Sequence, residues 1–340
     1  MSLNPSLSAQ YLLVVLIWSS TPLAIKFSNS SLHFSTAIAL RALPAALILV
    51  TLLWLSRSRL FTRRQFKREL ALYFSAALIF FPNLYLTYWA VQYISSGLAA
   101  VIFSLAPIGV GLWSAWLLGQ NVFSLRTCLA GCAAITGLLI FFAKTIFLTY
   151  GIDTDPPLQS SIYDVAFLSF DTLAMLAMLI ATLSFGLSSV LIKRFSNGTA
   201  PLKIVTGGHV AASLLLIPLA FVSDPLLRAD PMALFDRIDT RSLLGISYLV
   251  IAGSVVANFI YYRLLEVFTP FTLSLMILFT PLIAVYLGVL LDGEKTTPAM
   301  LIGTAFVITA IALYLGVDRR LLQFVRSRYL AHNKSVQDDY

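Results

Sequence analysis

Charge is what this chain has least of. Of its 340 residues only 11% are Asp, Glu, Lys or Arg, against about 25% in soluble domains. No charged residue occurs from Leu70 to Leu125, a run of 56 positions. There are two cysteines and three histidines, which excludes a disulfide scaffold and leaves little for a metal centre. Cys128 and Cys132 lie one helical turn apart with no His or acid nearby, and read as small packing residues. Glycine (17) and proline (14) are too scarce for a fibrous or disordered chain. Neither HExxH nor G-x-x-x-x-G-K-[ST] occurs, so a zinc peptidase and a nucleotide-driven pump are both excluded. No Asp or Glu falls inside any apolar run, which removes an intramembrane aspartyl protease. The expectation is a protein that is not an enzyme and uses no cofactor or metal.

What the chain has in excess is apolar surface, 59% of residues. As one helix the uncharged run would be ~84 Å long at ~1.5 Å per residue, against a hydrocarbon core of ~30 Å, so it must cross at least twice. Ten spans are expected, over 11–27, 34–56, 70–92, 96–118, 124–143, 172–192, 204–223, 242–262, 270–291 and 298–317. The fold class is thus an all-α integral membrane protein. With the N-terminus inside, the cytoplasmic connections and tail hold 16 Lys and Arg and the outer ones hold 6. That asymmetry places both termini in the cytoplasm. It also accounts for the net charge of +8 without nucleic acid, since the loops are too short to build a basic face. Arg57–Arg68 is expected to lie at anionic lipid headgroups. The start, MSLNPSLSAQ, lacks a basic n-region and reads as uncleaved.

Ten spans divide into a repeat over 1–143, an external linker over 144–171, a second repeat over 172–317, and a basic tail over 318–340. Landmarks recur between the halves. Lys26 matches Lys193, and Arg41 matches His209, at offsets of 167 and 168. Ala106-Pro107 matches Thr280-Pro281, and Gly119-Gln120 matches Gly293-Glu294, both at 174. Five spans is an odd number, so the second copy enters the membrane inverted, an arrangement that places a solute between the copies at mid-membrane. Trp18-Ser19 with Lys26, Leu40-Arg41, Tyr88–Ala100 leading into Ser104-Leu105-Ala106-Pro107, and Leu278-Phe279-Thr280-Pro281 with Gly293-Glu294 resemble the drug/metabolite transporter superfamily, specifically its ten-span EamA-type members. Gln120 and His209 depart from that pattern, where Glu and Arg are usual. The resemblance implies a bacterial inner-membrane protein that exports or exchanges a small polar or zwitterionic metabolite of the amino-acid kind by alternating access. A nucleotide-sugar or phosphorylated-metabolite exchanger, and a non-transporting sensor or assembly protein, are the rival readings.

Intramembrane polar residues face a partner or a cavity. Ser247, Ser254, Asn258 and Tyr261 fall at helical offsets of 7, 11 and 14, and Phe80, Asn83 and Thr87 share a face of the third span. The candidate solute-binding residues are Trp18, Arg41, Asn83, Tyr88, Trp89, Ser254, Asn258, Tyr261 and Tyr262. For the two asparagines, interhelical bonding is the competing role. Pro107 and Pro281 are candidate gates, each freeing a carbonyl four residues earlier, at Phe103 and Ile277. His209 is the candidate for proton coupling, or else a histidine bonded to a backbone carbonyl. Arg41 is expected to snorkel outward or meet helix-end carbonyls, unless it lines a vestibule for a carboxylate. Ala133/Gly137 and Ala299/Gly303 permit the close packing of a homodimer. Reporter fusions at Asp155 and Ser335 should report opposite sides of the membrane; a same-side answer would overturn the ten-span reading.

Overall fold

The structure is a computed structural model and describes residues 5–120 and 170–293, with isolated helical positions between 125 and 140 and between 298 and 309. The linker, the basic tail, Cys128, Glu294, and most of the fifth and tenth spans lie outside the described residues. Every regular element among the described residues is a helix. Contacts divide the chain into one compact unit of 1–121 with 154–296, and a second of 122–153 with 297–340. The description below concerns the first.

Among the described residues seven stretches are long and apolar enough to cross a bilayer: Ser6–Ser28, Phe34–Leu55, Arg63–Ala90, Ser96–Leu118, Phe170–Ser196, Pro201–Ser223 and Thr240–Val267. They coincide with the first four and the sixth to eighth expected spans. The ninth is helical over Pro270–Asp292 but broken.

Among the described residues four long helices run unbroken: α1 (Pro5–Ser28), α2 (Phe34–Leu55) and, after the gap, α7 (Phe170–Ser196) and α8 (Pro201–Ser223). The third span starts as α3 (Phe66–Ala77), widens into π turns over Ile79–Leu84, and ends as α4 (Tyr85–Ala90). At its centre Phe81 leaves helical geometry altogether (φ −138°, ψ 121°). Its neighbour Pro82 is the cause, because a proline ring drives the preceding residue out of the α region. The fourth span is α5 (Ser96–Phe103) followed by α6 (Ala106–Leu118). In the second half, α8 (Pro201–Ser223) leads through the short α9 (Pro225–Ala229) and α10 (Leu234–Arg237) to α11 (Thr240–Tyr248). A π segment at Leu249–Val256 then joins α11 to α12 (Ala257–Val267). The ninth span is α13 (Pro270–Ser274), a 3₁₀ stretch at Leu275–Phe279, and α14 (Thr280–Asp292).

The landmarks that recur in sequence carry the same local structure. Ser95 and Thr269, 174 apart, each cap a helix start by accepting from the amide three residues on, Leu98 and Thr272. Gly119 (φ 64°) and Gly293 (φ 65°) each end a 13-residue helix in the left-handed conformation that glycine adopts without strain. Pro107 and Pro281 each sit in the first turn of such a helix. They begin new helical segments rather than kinking a continuous one, since a proline at that position removes no hydrogen bond. The carbonyl of Ile277, expected to be orphaned, accepts from the Thr280 hydroxyl at 2.6 Å.

The halves interleave within this unit. α2 lies along α8, α3 and α6 pack against α7, and α1 packs against α11 and α14. Lipid is as apolar as the helices, so close approach comes from small residues. A Cβ on Gly186 of α7 would come within 2.9 Å of the backbone of Gly109 and Val110 in α6. One on Gly245 of α11 would meet the Ala24 carbonyl at 2.9 Å and the Ser28 amide at 2.8 Å. Polar ties supplement the packing. Ser188 donates to the Ser75 carbonyl at 2.6 Å and Trp113 to the Leu183 carbonyl at 3.0 Å. Helix ends are tied likewise. Lys193 Nζ donates to the carbonyl of Leu265 at 2.6 Å, and Arg68 to those of Phe195 at 2.8 Å and Ser196 at 2.7 Å. Lys26, the repeat partner of Lys193, pairs with Asp292 at the end of α14, as does Arg241.

Gly186→Ala should lower the melting temperature in detergent by the equivalent of about 1–3 kcal/mol, the range for overpacking. A variant as stable as the parent would mean that α6 and α7 separate at no cost. A second prediction concerns Asp224, which follows α8, accepts from Thr36 Oγ1 at 2.6 Å, and caps α9. Burial pushes its carboxyl up, but the Thr36 hydroxyl and the amides of Leu227 and Leu226 outweigh this and hold it below the usual carboxylate value. A lowered folded value gives stability that is present at neutral pH and lost as pH falls through the acid range. Thr36→Val should therefore melt lower than the parent at pH 7, with the gap narrowing below about pH 4. A gap constant with pH would show that the hydroxyl acts through packing alone.

A candidate solute chamber between the two halves

The four broken spans bend around one chamber, about 650 Å³ with the open space at its mouth included. Both halves contribute to its wall. Trp18, Thr21, Pro22 and Ile25 come from α1 at offsets of 3, 4 and 7, one helical face. Arg41 comes from α2, and Asn83, Leu84 and Thr87 from the π-to-α junction of the third span. Phe103 ends α5 at the proline break. From the second half come Met178 and Phe185 on α7, Asn258 just past the second π segment, and Thr280 at the other proline break.

Three rings form an apolar side. The Phe185 centroid lies 5.7 Å from Trp18 and 5.2 Å from Phe103. Tyr261 backs them at 4.9 Å from Trp18, with its hydroxyl donating to Ser189 Oγ at 2.7 Å. Thr21, Thr87 and Thr280 donate their hydroxyls to carbonyls of their own helices.

The polar contribution is small and unsatisfied. Arg41 is only 3% exposed, and its Nε donates to Ser254 Oγ at 2.9 Å. Outward snorkelling does not occur. Gly253 makes room for the guanidinium instead, since even a Cβ there would lie 3.1 Å from Nη2. Arg41 Nη1, Asn83 Oδ1 and Asn258 Nδ2 are buried without hydrogen-bond partners. Unmet groups of this kind are costly unless something else meets them.

The remaining candidates take other places. Ser254 is fully buried and anchors Arg41. Tyr88 is buried with its hydroxyl facing the Arg41 guanidinium and Ser28, outside the chamber wall. Tyr262 is buried behind the wall with its ring 5.8 Å from Tyr261. Trp89 is half-buried and pairs with Tyr93 at 5.0 Å, also away from the wall. Ser247, expected on the face of Ser254 and Asn258, is exposed. The wide turns of Leu249–Val256 take more residues per revolution and rotate that face away. His209 is buried with Nδ1 bonded to the Val205 carbonyl at 2.8 Å and Phe80 edge-on at 4.5 Å. Its Nδ1 donates, so in the neutral ring Nε2 is an acceptor, and it has no partner. Among the described residues no three His, Cys, Asp or Glu side chains cluster as a metal site.

Sequence reasoning missed Phe185, Phe103, Thr21 and Thr280 on the wall. The helical spacing of Trp18, Thr21, Pro22 and Ile25 was a usable signal for α1. The break at Phe81 also had one, in Pro82 itself.

Comparison with known proteins follows the same outline. The sequence pattern of the EamA-like transporter family matches residues 8–143 and 172–316. Protein PecM of Dickeya dadantii is 25% identical over 242 residues, 71% of this chain and 70% of its own length. An uncharacterized transporter of Synechocystis is 27% identical over 231 residues, 67% of this chain and 65% of its own. A solved crystal structure at 15% identity superposes with a TM-score of 0.61 over 94% of this chain and 99% of that one, a likeness of fold alone.

Proposed function

This multi-pass membrane protein belongs to the EamA-like transporter family, and on that premise we propose that it carries a small polar or zwitterionic metabolite by alternating access. The observation that carries the reading is the chamber itself, walled by residues of both halves and holding polar atoms with no partner in the protein. A scaffold would bury such groups against each other. A site for a transient ligand leaves them for the ligand.

In this proposal the chain crosses ten times as two inverted five-span repeats, with both termini in the cytoplasm of a bacterial cell. The matched caps at Ser95 and Thr269, and the matched proline starts at 107 and 281, support the repeat. The charge asymmetry supports the orientation. Pro107 and Pro281 act as gates, since helix segments meet there without a continuous hydrogen-bond ladder and with Phe103 and Thr280 on the wall beside them. His209 is the coupling candidate, on account of its buried, unpartnered Nε2. A phosphorylated or nucleotide-linked cargo is less well served. It would bring two or more negative charges to a wall where, among the described residues, Arg41 is the one cation.

Reconstituted in liposomes and screened with labelled metabolites, the parent should show saturable flux. Asn83→Leu and Asn258→Leu should each abolish it at near-normal expression and melting temperature. Loss of folded protein, with flux scaling to what remains, would assign the asparagines to interhelical bonding. Folded parent protein with no flux of any metabolite would favour the sensor or assembly reading.

A further inference from the structure

We infer that the chamber selects a carboxylate-bearing monoanion with an apolar body, and discriminates against solutes that bring a free ammonium; this rests on the carrier reading above, and of the polar and zwitterionic cargoes named there it keeps the anionic polar ones and sets the zwitterions aside.

The guanidinium of Arg41 is buried, and among the described residues no carboxylate lies beside it. Glu69 and Asp224, the acids buried elsewhere in the unit, are committed to Lys203 at 2.8 Å and to Thr36 at 2.6 Å. No Asp or Glu lines the chamber. A buried cation without a counter-charge is costly, and the cost falls when a ligand supplies one. The side chain is also held in place for that purpose. Nε is fixed by Ser254, Nη2 lies over Gly253 and the neutral Tyr88 hydroxyl faces the group, while Nη1 makes no hydrogen bond of normal geometry. Arg presents adjacent N–H groups that suit a carboxylate in two-point contact. Asn258 Nδ2 adds a neutral donor on the opposite half of the wall.

An ammonium finds the reverse. Its acceptors would be Asn83 Oδ1 and threonine oxygens, all neutral, and it would be a second cation confined with the first. The rings of Trp18 and Phe185 could attract a cation face-on, but in a chamber of this size that attraction competes with repulsion from Arg41. Those rings and Phe103 serve better as the wall for an aryl or alkyl body.

Three probes of one shape separate these cases: 3-phenylpropanoate, phenylalanine and phenethylamine, which at pH 7 are a monoanion, a zwitterion and a cation. Calorimetry on the purified full chain in detergent should show 3-phenylpropanoate binding about ten- to hundredfold more tightly than phenylalanine, the range for one charge-assisted bond. Phenethylamine should be weakest. Arg41→Gln should erase the preference for the anion. Arg41→Lys, which keeps the charge, should keep the ranking at reduced affinity, and serves if the glutamine variant does not fold. Phenylalanine or phenethylamine binding as tightly as the anion would overturn the inference, as would an unchanged ranking in Arg41→Gln or folded parent protein that binds none of the three. Those results would leave the carrier reading intact wherever liposome flux of some metabolite is seen. Anion binding by a chain that shows no flux would do the opposite.

Discussion

Lipid offers no hydrogen bonds, so a spanning helix can be interrupted only where the protein itself takes up the freed backbone groups. That constraint organises this bundle. The interruptions fall at Phe81, between Phe103 and Ala106, across Leu249–Val256 and across Leu275–Phe279. Each is flanked by residues of the chamber wall: Asn83 and Leu84, Phe103, Asn258, and Thr280. Irregular backbone and chamber wall are therefore one feature. Hydroxyls do part of the repair, as where Thr280 serves the Ile277 carbonyl and Ser104 that of Val101.

The interruptions also come in pairs. The third and eighth spans widen into π turns next to an asparagine, and the fourth and ninth restart at a proline in helices of equal length. The unbroken α1, α2, α7 and α8 pack against them. Backbone approaches at Gly186 and Gly245 hold the helices close, and ties such as Ser188 to Ser75 fix their register.

Among the described residues of the chamber wall, one carries a formal charge. Arg41 sits among apolar and neutral polar side chains, positioned by Ser254 and admitted by the missing side chain at Gly253. Tyr88 and His209 lie within its electrostatic reach. Cations at the helix ends are satisfied differently. Lys193 and Arg68 meet terminal carbonyls, where positive charge is favoured, and Lys26 and Arg241 share Asp292. The contrast between the satisfied ends and the unsatisfied centre singles out Arg41.

Composition and periodicity sufficed for a membrane-embedded, all-helical chain, because a charge-free run of that length has no other stable environment. They also located seven of the spans and the matched landmarks of the two halves. The glycines and prolines behind those matches impose local geometry wherever they occur. Asn83, Asn258, Trp18 and Arg41 could be nominated in advance because polar and amphipathic groups in a span need a partner. Only the tertiary structure decided which nominees meet. Tyr88, Trp89 and Tyr262 share spans with wall residues yet sit off the wall, and Phe185 and Phe103 stand on it. The reason lies in the π turns and the break at Phe81. They alter the residues per revolution, so helical offsets counted across them, such as Ser247 to Ser254, no longer give the face. The fate of Arg41 was likewise not local. Its burial depends on Gly253, more than two hundred residues along the chain, which leaves it space that no pattern near Arg41 foretells.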